Sequence, residues 1–275
     1  MAPLINYGET SHWYTRDGSP KHDADLRVAR KQLLYPSTTT VDKAVFRNPF
    51  LEKWFQEQIL IAAGENPKQP HETGKDYAQR VYDLAMEYTR NAAMFGNRIH
   101  EMVEKYPSAP KDTDLNPWFT SFSAWFQASG ITPIQQEKTV VCHQIGIAGR
   151  MDLIGSRAGT MVAADWKSQN VKVNDKGKKT PAFYDSWVRQ LAFYGSTEAR
   201  QDGQWTVFPA CLSVVIDSNP EAGIYAKWWT AEEVKEAYRS FIHGAWMFFD
   251  SKGYWPVGKW YPGHIDTERI VTLPV

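Results

Sequence analysis

Hydrophobic positions along the chain change their period near residue 130. Before it, apolar residues recur three and four apart. Phe50, Leu51, Trp54, Phe55, Ile59 and Leu60 in NPFLEKWFQEQILIAAG trace a helical period. KDYAQRVYDLAMEYTRNAAMFGNRIHEMVEKY is the longest predicted helix, with Gly96 marking either a break or a close contact. PSAPKDTDLNP reads as a loop, and WFTSFSAWFQASG as a helix stopped by Gly130. After residue 130, IQQEKTVVCHQIGIAGRMDLIG and TMVAADWKS alternate and are rich in β-branched residues, which predicts strands. WTVFPACLSVVIDS and AGIYAKWWT add two more. SWVRQLAFYGSTEARQ and AEEVKEAYRSFIHGAWMFFDSKG return to helical spacing, the second with Glu232 and Glu233 where a helix N-terminus favours acids.

The N-terminal stretch is polar and mixed in charge, so it predicts an irregular arm with a short helix at ADLRVARKQLL. YPSTTTVDKAVF then reads as a strand-to-helix transition, with Ser37 to Thr40 supplying N-cap side chains. No repeat, low-complexity tract or linker interrupts the chain. The expectation is one α/β domain with a mixed central sheet flanked by helices. Its parts are an arm over 1–34, a mainly helical part over 35–130, and a sheet-containing core with a C-terminal helix over 131–275.

Composition narrows the function classes. At 275 residues and 43% hydrophobic content, the chain supports a sizeable core. Lys plus Arg equals Asp plus Glu at 31 each, so no global field draws in a polyanion and a nucleic-acid site must be a local patch. With only Cys142 and Cys211, a disulfide framework, a structural zinc site and a cysteine-ligated iron–sulfur cluster are unsupported, and a reducing compartment fits. MAPLINYGETSHWYTRDGSP has no apolar segment of the signal-peptide kind, and no apolar run approaches a membrane span. The expectation is a cytoplasmic protein that is neither secreted nor membrane-bound.

The chemistry concentrates in GRMDLIGSRAGTMVAADWKSQN, residues 149–170, which reads as a β-hairpin. Asp152 and Asp165 stand there among apolar neighbours, where acids are costly unless something pairs with them. Side chains two apart on a strand share a face, so Asp165 and Lys167 point one way and Trp166 the other. An antiparallel partner strand sets Asp152 beside Asp165. Two close carboxylates repel and raise each other's pKa, and a divalent cation cancels that repulsion. Oxygen ligands suit a hard ion such as Mg²⁺ or Mn²⁺. The plain alternative is a hairpin whose acids merely pair with Lys167 or Arg150, since a bare D…DxK pattern recurs by chance. Other residues stand in suggestive places. His100 follows Gly96 by one helical turn, Gln190 and Tyr194 are i and i+4 on the next helix, and Glu137 begins the strand leading to Asp152. Each alone reads as an ordinary helix face or strand end.

In order, GNRIH, QEKTVV, GRMD, DWK and QLAFY resemble the motif series of the RecB-like branch of the PD-(D/E)XK nuclease superfamily. That branch includes phage exonucleases and the mitochondrial genome maintenance exonuclease. YPSTTTV is also similar to a segment preceding this core in some members, so the resemblance covers about residues 35–215. It implies a restriction-endonuclease-like core and a Mg²⁺ or Mn²⁺ ion held by His100, Asp152, Asp165 and the Trp166 carbonyl. It implies Lys167 as catalytic lysine, with Gln190 and Tyr194 supporting the site or touching the DNA backbone. The family uses the Glu137 position variably. Members with a four-cysteine iron–sulfur cluster are a departure this chain cannot follow, and no GxxxxGK[ST] phosphate loop is present to drive a motor.

The resulting expectation is a metal-dependent DNA exonuclease acting on single strands or duplex ends. Its setting would be replication, recombination or repair in a bacterial or phage-infected cell, alongside a replication or recombination protein. Lys172, Lys176, Lys178, Lys179 and Arg189 form a basic stretch between DWK and QLAFY, which suits phosphate contacts. Trp118, Phe119, Trp125 and Phe126 are candidates for base stacking, with core packing as the commoner use. Two other readings compete. One is a nucleic-acid-binding protein that kept this fold without catalysis. The other is a carbohydrate-active protein using Glu137 and Asp152, which leaves Lys167, His100, Gln190 and Tyr194 unexplained.

Overall fold

The computed structural model describes residues 12–198, 200–201, 204–205, 210–219, 221 and 223–265. The first eleven residues of the expected arm, residues 206–209 of one expected strand and the last ten residues lie outside the described residues. The chain is α/β, a five-stranded mixed sheet flanked by helices.

Order along the chain follows the change of period. Strand β1 (Trp13–Tyr14), helix α1 (Leu26–Gln32) and strand β2 (Tyr35–Pro36) come first. Four helices follow: α2 (Thr38–Val45), α3 (Pro49–Glu65), α4 (Gly74–Glu104) and α5 (Asn116–Ser129). Next come β3 (Thr132–Cys142), β4 (Ile147–Arg157) and β5 (Thr160–Gln169). Helix α6 (Asp185–Glu198), a two-strand ribbon of β6 (Arg200–Gln201) and β7 (Gln204–Trp205), then β8 (Ala210–Asp217), β9 (Ile224–Trp228) and α7 (Ala231–Lys252) complete it. Caps fix several boundaries. Ser37 accepts from the Thr40 N–H to start α2, and Thr73 with Asp76 forms a capping box on α4. Gly130 ends α5 at φ 69°, where a side chain would be strained.

Strand order in the sheet is β3-β4-β5-β8-β9. Among the described residues only the β5–β8 pair is parallel, and a parallel pair needs a crossover, which α6 supplies. Alternation along the strands divides the core in two. Ile154, Ala163 and Cys211 face Val188 and Leu191 of α6 and Phe241 of α7, together with Trp13, Ala29 and Val41. Leu153, Val162, Ala164 and Trp166 face Ile99 and Val103 of α4 and Phe122 of α5. Burying a side chain of this size stabilises by roughly 1.5–3 kcal/mol relative to exposure.

Two expectations come out differently or more sharply. Helix α4 runs unbroken through Gly96, and a Cβ there would stand 2.9 Å from Ser168 Oγ, so the glycine serves close approach of α4 to β5 rather than a break. Helix α3 forms as expected but buries little of its apolar set. Its contact with α4 runs through Ala62, Val81 and Ala85 with Ile59 beside them, while Phe50, Leu51 and Leu60 remain exposed. Apolar residues wrap more than one face of this helix, and α4 covers only one. Among the described residues, no helix is long and apolar enough to cross a membrane.

Candidate metal centre

The β4–β5 hairpin turns at Ala158 and Gly159, both at positive φ, a geometry that matches the right-handed strand twist. Leu153 pairs with Ala164, so Asp152 and Asp165 are the next residues beyond that pair. Asp165 alternates with Ala164 and Trp166, so its carboxylate turns toward the α6 side of the sheet. Asp165 is 2% exposed, and its Oδ1 accepts from Lys167 Nζ at 2.6 Å. Its other oxygen, Oδ2, is buried with no hydrogen-bond partner. Asp152 Oδ2 accepts from the Trp166 N–H at 2.8 Å, which locks this carboxylate to the strand carrying Lys167.

Two further elements reach the hairpin. His100 projects from α4, and its Nδ1 is 3.8 Å from Asp152 Oδ2. Glu137 comes from β3, within the strand rather than at its beginning as expected, and its backbone sits at φ 51°. That left-handed residue re-aims its side chain. Ligand atoms of His100, Glu137 and Asp152 lie within 4.8 Å of one another. Arg150 Nε contacts Glu137 Oε2 at 2.5 Å, a partner the sequence suggested only for the aspartates.

Burial sets the electrostatics. Asp165 is pushed up to about 6 by desolvation, with Lys167 opposing and Asp152 adding to the rise. Asp152 is also raised, first by burial. Glu137 is pushed up to about 7 by burial and then by Asp152. Burial alone would lower Lys167, but Asp165 and Asp152 outweigh it and hold the ammonium charged. His100 is lowered by burial and by Lys167, although Asp165 and the Trp166 carbonyl favour its protonated form. A neutral imidazole and crowded, reluctant carboxylates are a donor set that a divalent cation relieves. The unpartnered Asp165 Oδ2 points to the same need for a positive group. The residues therefore fit a metal ion, with His100, Glu137 and Asp152 grouped and Asp165 paired to Lys167.

The remaining expected residues divide. Lys167 and Gln190 line one cavity of about 300 Å³ with Thr38 and Trp187. Tyr194 does not reach it. Its ring is buried, its hydroxyl takes a hydrogen bond from Thr38 Oγ1 at 2.9 Å, and it fills the space that a Cβ at Gly149 would need. Tyr194 is thus buried between β4, α2 and its own helix α6. The Trp166 ring is likewise buried, against Phe122 and Trp125.

The basic stretch also divides. Lys172, Lys176 and Lys178 are exposed on the loop leaving β5. Lys179 instead bridges Asp217 at 3.1 Å and Glu221 at 2.8 Å. Arg189 pairs with Asp42 at 2.5 Å and covers the Phe46 ring, so neither cation is held out for phosphate. Both partners lie far away in sequence, which hid the pairing. Trp118 and Phe126 are core residues, and Phe119 and Trp125 pack against the same cluster. No family model matches the chain, and no curated protein matches it in sequence.

Proposed function

We propose that this chain is a divalent-metal-dependent deoxyribonuclease that trims DNA from its ends, on single strands or frayed duplex. The observation that carries the reading is the buried pair Asp152 and Asp165, with Lys167 on one of them and an unpartnered oxygen on the other side of it. Such a cluster is unfavourable as a purely structural device, because desolvation exceeds what one lysine returns. The motif order, and a mixed sheet with a helical crossover between β5 and β8, support a restriction-endonuclease-like core. The choice of DNA comes from the motif resemblance.

When bound, Mg²⁺ or Mn²⁺ supplies Lewis-acid polarisation of a phosphate oxygen and an acidified water. His100, Glu137, Asp152 and Asp165 would hold it. The residues themselves do the rest. The Trp166 N–H holds the Asp152 carboxylate in one orientation. Lys167 is charged and cannot act as a base. Its ammonium donates to the attacking water's lone pair or offsets negative charge growing on the phosphoryl oxygens. Gln190, beside Lys167, offers amide hydrogen bonds to the strand. No covalent intermediate is required.

End-labelled single-stranded and blunt duplex DNA, incubated with Mg²⁺, Mn²⁺ or EDTA, tests this directly. Stepwise shortening of the single strand with either metal and none in EDTA is expected. Intact DNA under every condition would overturn the assignment.

A further inference from the structure

The cavity beside Lys167 carries four large apolar side chains. Phe46 just after α2, Leu51 from α3, Trp187 from α6 and Phe241 from α7 line it together with Lys167. The apolar side chains offer a phosphate nothing in exchange for its hydration, whereas a flat, weakly polar group can lie against them. The volume of about 300 Å³ stands at the small end of pockets that hold small molecules, roughly 300–1,000 Å³. That admits one base and not a base pair.

Polar side chains stand between these apolar ones, Thr39, Asp42, Lys43, Asn48, Ser186 and Gln190 among them. Asn48 uses its Oδ1 to cap α3 through the Leu51 N–H, which leaves its amide hydrogens as donors. Ser186 adds a hydroxyl. At the rim, Leu51 is 57% exposed and Phe50 more so, an unusual position for two adjacent apolar side chains at the start of a helix. We propose that this cavity seats one unpaired nucleobase of the strand whose phosphodiester lies at Lys167. The proposal rests on the nuclease reading and deepens it. A base in a duplex has its faces stacked and its pairing edge taken, so only a splayed or single-stranded nucleotide can enter. Selection for unpaired ends is then built into the wall of the site. It does not depend on the aromatics of α5, which are spent on the core.

The test uses the full chain in EDTA at low salt, where cleavage does not interfere. Single-stranded oligonucleotides carry 2-aminopurine at successive positions from the end, and a parallel set carries one abasic site at the same positions. One position should change its fluorescence on binding while its neighbours do not. An abasic site there should weaken binding about tenfold, within the range one stacked base contributes. Leu51→Gln and Trp187→Ala should both flatten this pattern, and Leu51→Gln alters an exposed position that the fold does not need. A response spread evenly along the strand, affinity set by a terminal phosphate instead of a base, an unchanged pattern in both variants, or no binding at all would overturn the proposal. Metal-dependent cleavage without a preferred base position would sink the base pocket alone. A preferred base position without cleavage under Mg²⁺ or Mn²⁺ would sink the nuclease reading.

Discussion

Replacing Glu137 by glutamine removes one charge from the centre and keeps its shape. In the folded protein this carboxyl is pushed up to about 7, first by burial and then by Asp152, from an ordinary value of 4.5. Each pKa unit corresponds to about 1.4 kcal/mol, so the ionised side chain costs the metal-free fold up to about 3 kcal/mol. The side chain keeps 17% of its exposure, and screening by that solvent brings the figure to about 1–2 kcal/mol. The sign follows from proton binding. The folded state holds the Glu137 proton more tightly than the unfolded state, so the cost is absent below pH 4.5 and complete above pH 7. Glu137→Gln does not titrate. In EDTA, urea unfolding should find the gap between variant and wild type widening from pH 4.5 to pH 8, with the variant gaining about 1–2 kcal/mol over that window. Asp152 and Asp165 titrate in both proteins, and loss of the Glu137 charge eases their ionisation too, which widens the gap in the same direction. Added Mn²⁺ should reverse the order, because a lost ligand reduces stabilisation by binding. A gap independent of pH, or a variant that loses ground in EDTA as pH rises, would refute the reasoning.

Three other outcomes follow from the same geometry. Cleavage should rise with pH between about 6 and 7, as Asp165 and Glu137 lose the protons that compete with the cation; initial rates from pH 5 to 8.5 check this, and an acid limb below pH 5 would contradict it. Gly149→Ala puts a Cβ 1.6 Å from the Tyr194 hydroxyl in a packed core, so denaturant unfolding should show a loss of about 1–3 kcal/mol. Lys172→Glu with Lys176→Glu and Lys178→Glu should weaken DNA binding and flatten its salt dependence. Lys179→Ala should lower stability and leave that salt slope unchanged, because its ammonium serves Asp217 and Glu221.

Much of the centre was legible because a strand has a period of two. Spacing alone put Asp165 and Lys167 on one face, and a short turn put Asp152 alongside. Helical spacing put His100 on the Gly96 face of α4, and only the motif resemblance connected it with the hairpin. What the sequence hid was set by partners distant along the chain. Lys179 and Arg189 looked available until Asp217 and Asp42 were folded against them. Tyr194 shares helix spacing with Gln190, but the turn between them carries it below the surface, onto Thr38. The left-handed backbone at Glu137 has no residue signature, since glutamate seldom adopts it. Exposure of α3 also escaped the pattern. Periodicity shows that a helix has an apolar face and does not show whether the fold supplies a cover for it.

Lys167 carries the chemistry in this account, so its removal is the sharpest measurement. Single-turnover cleavage of end-labelled single-stranded DNA in Mn²⁺ should be compared for wild type and Lys167→Met, with circular dichroism to verify folding. Loss of a preorganised charge at the reacting phosphate predicts a rate lower by roughly 10²–10³-fold in a folded protein. A folded Lys167→Met variant that cuts at the wild-type rate would contradict the assignment of this hairpin as the catalytic centre.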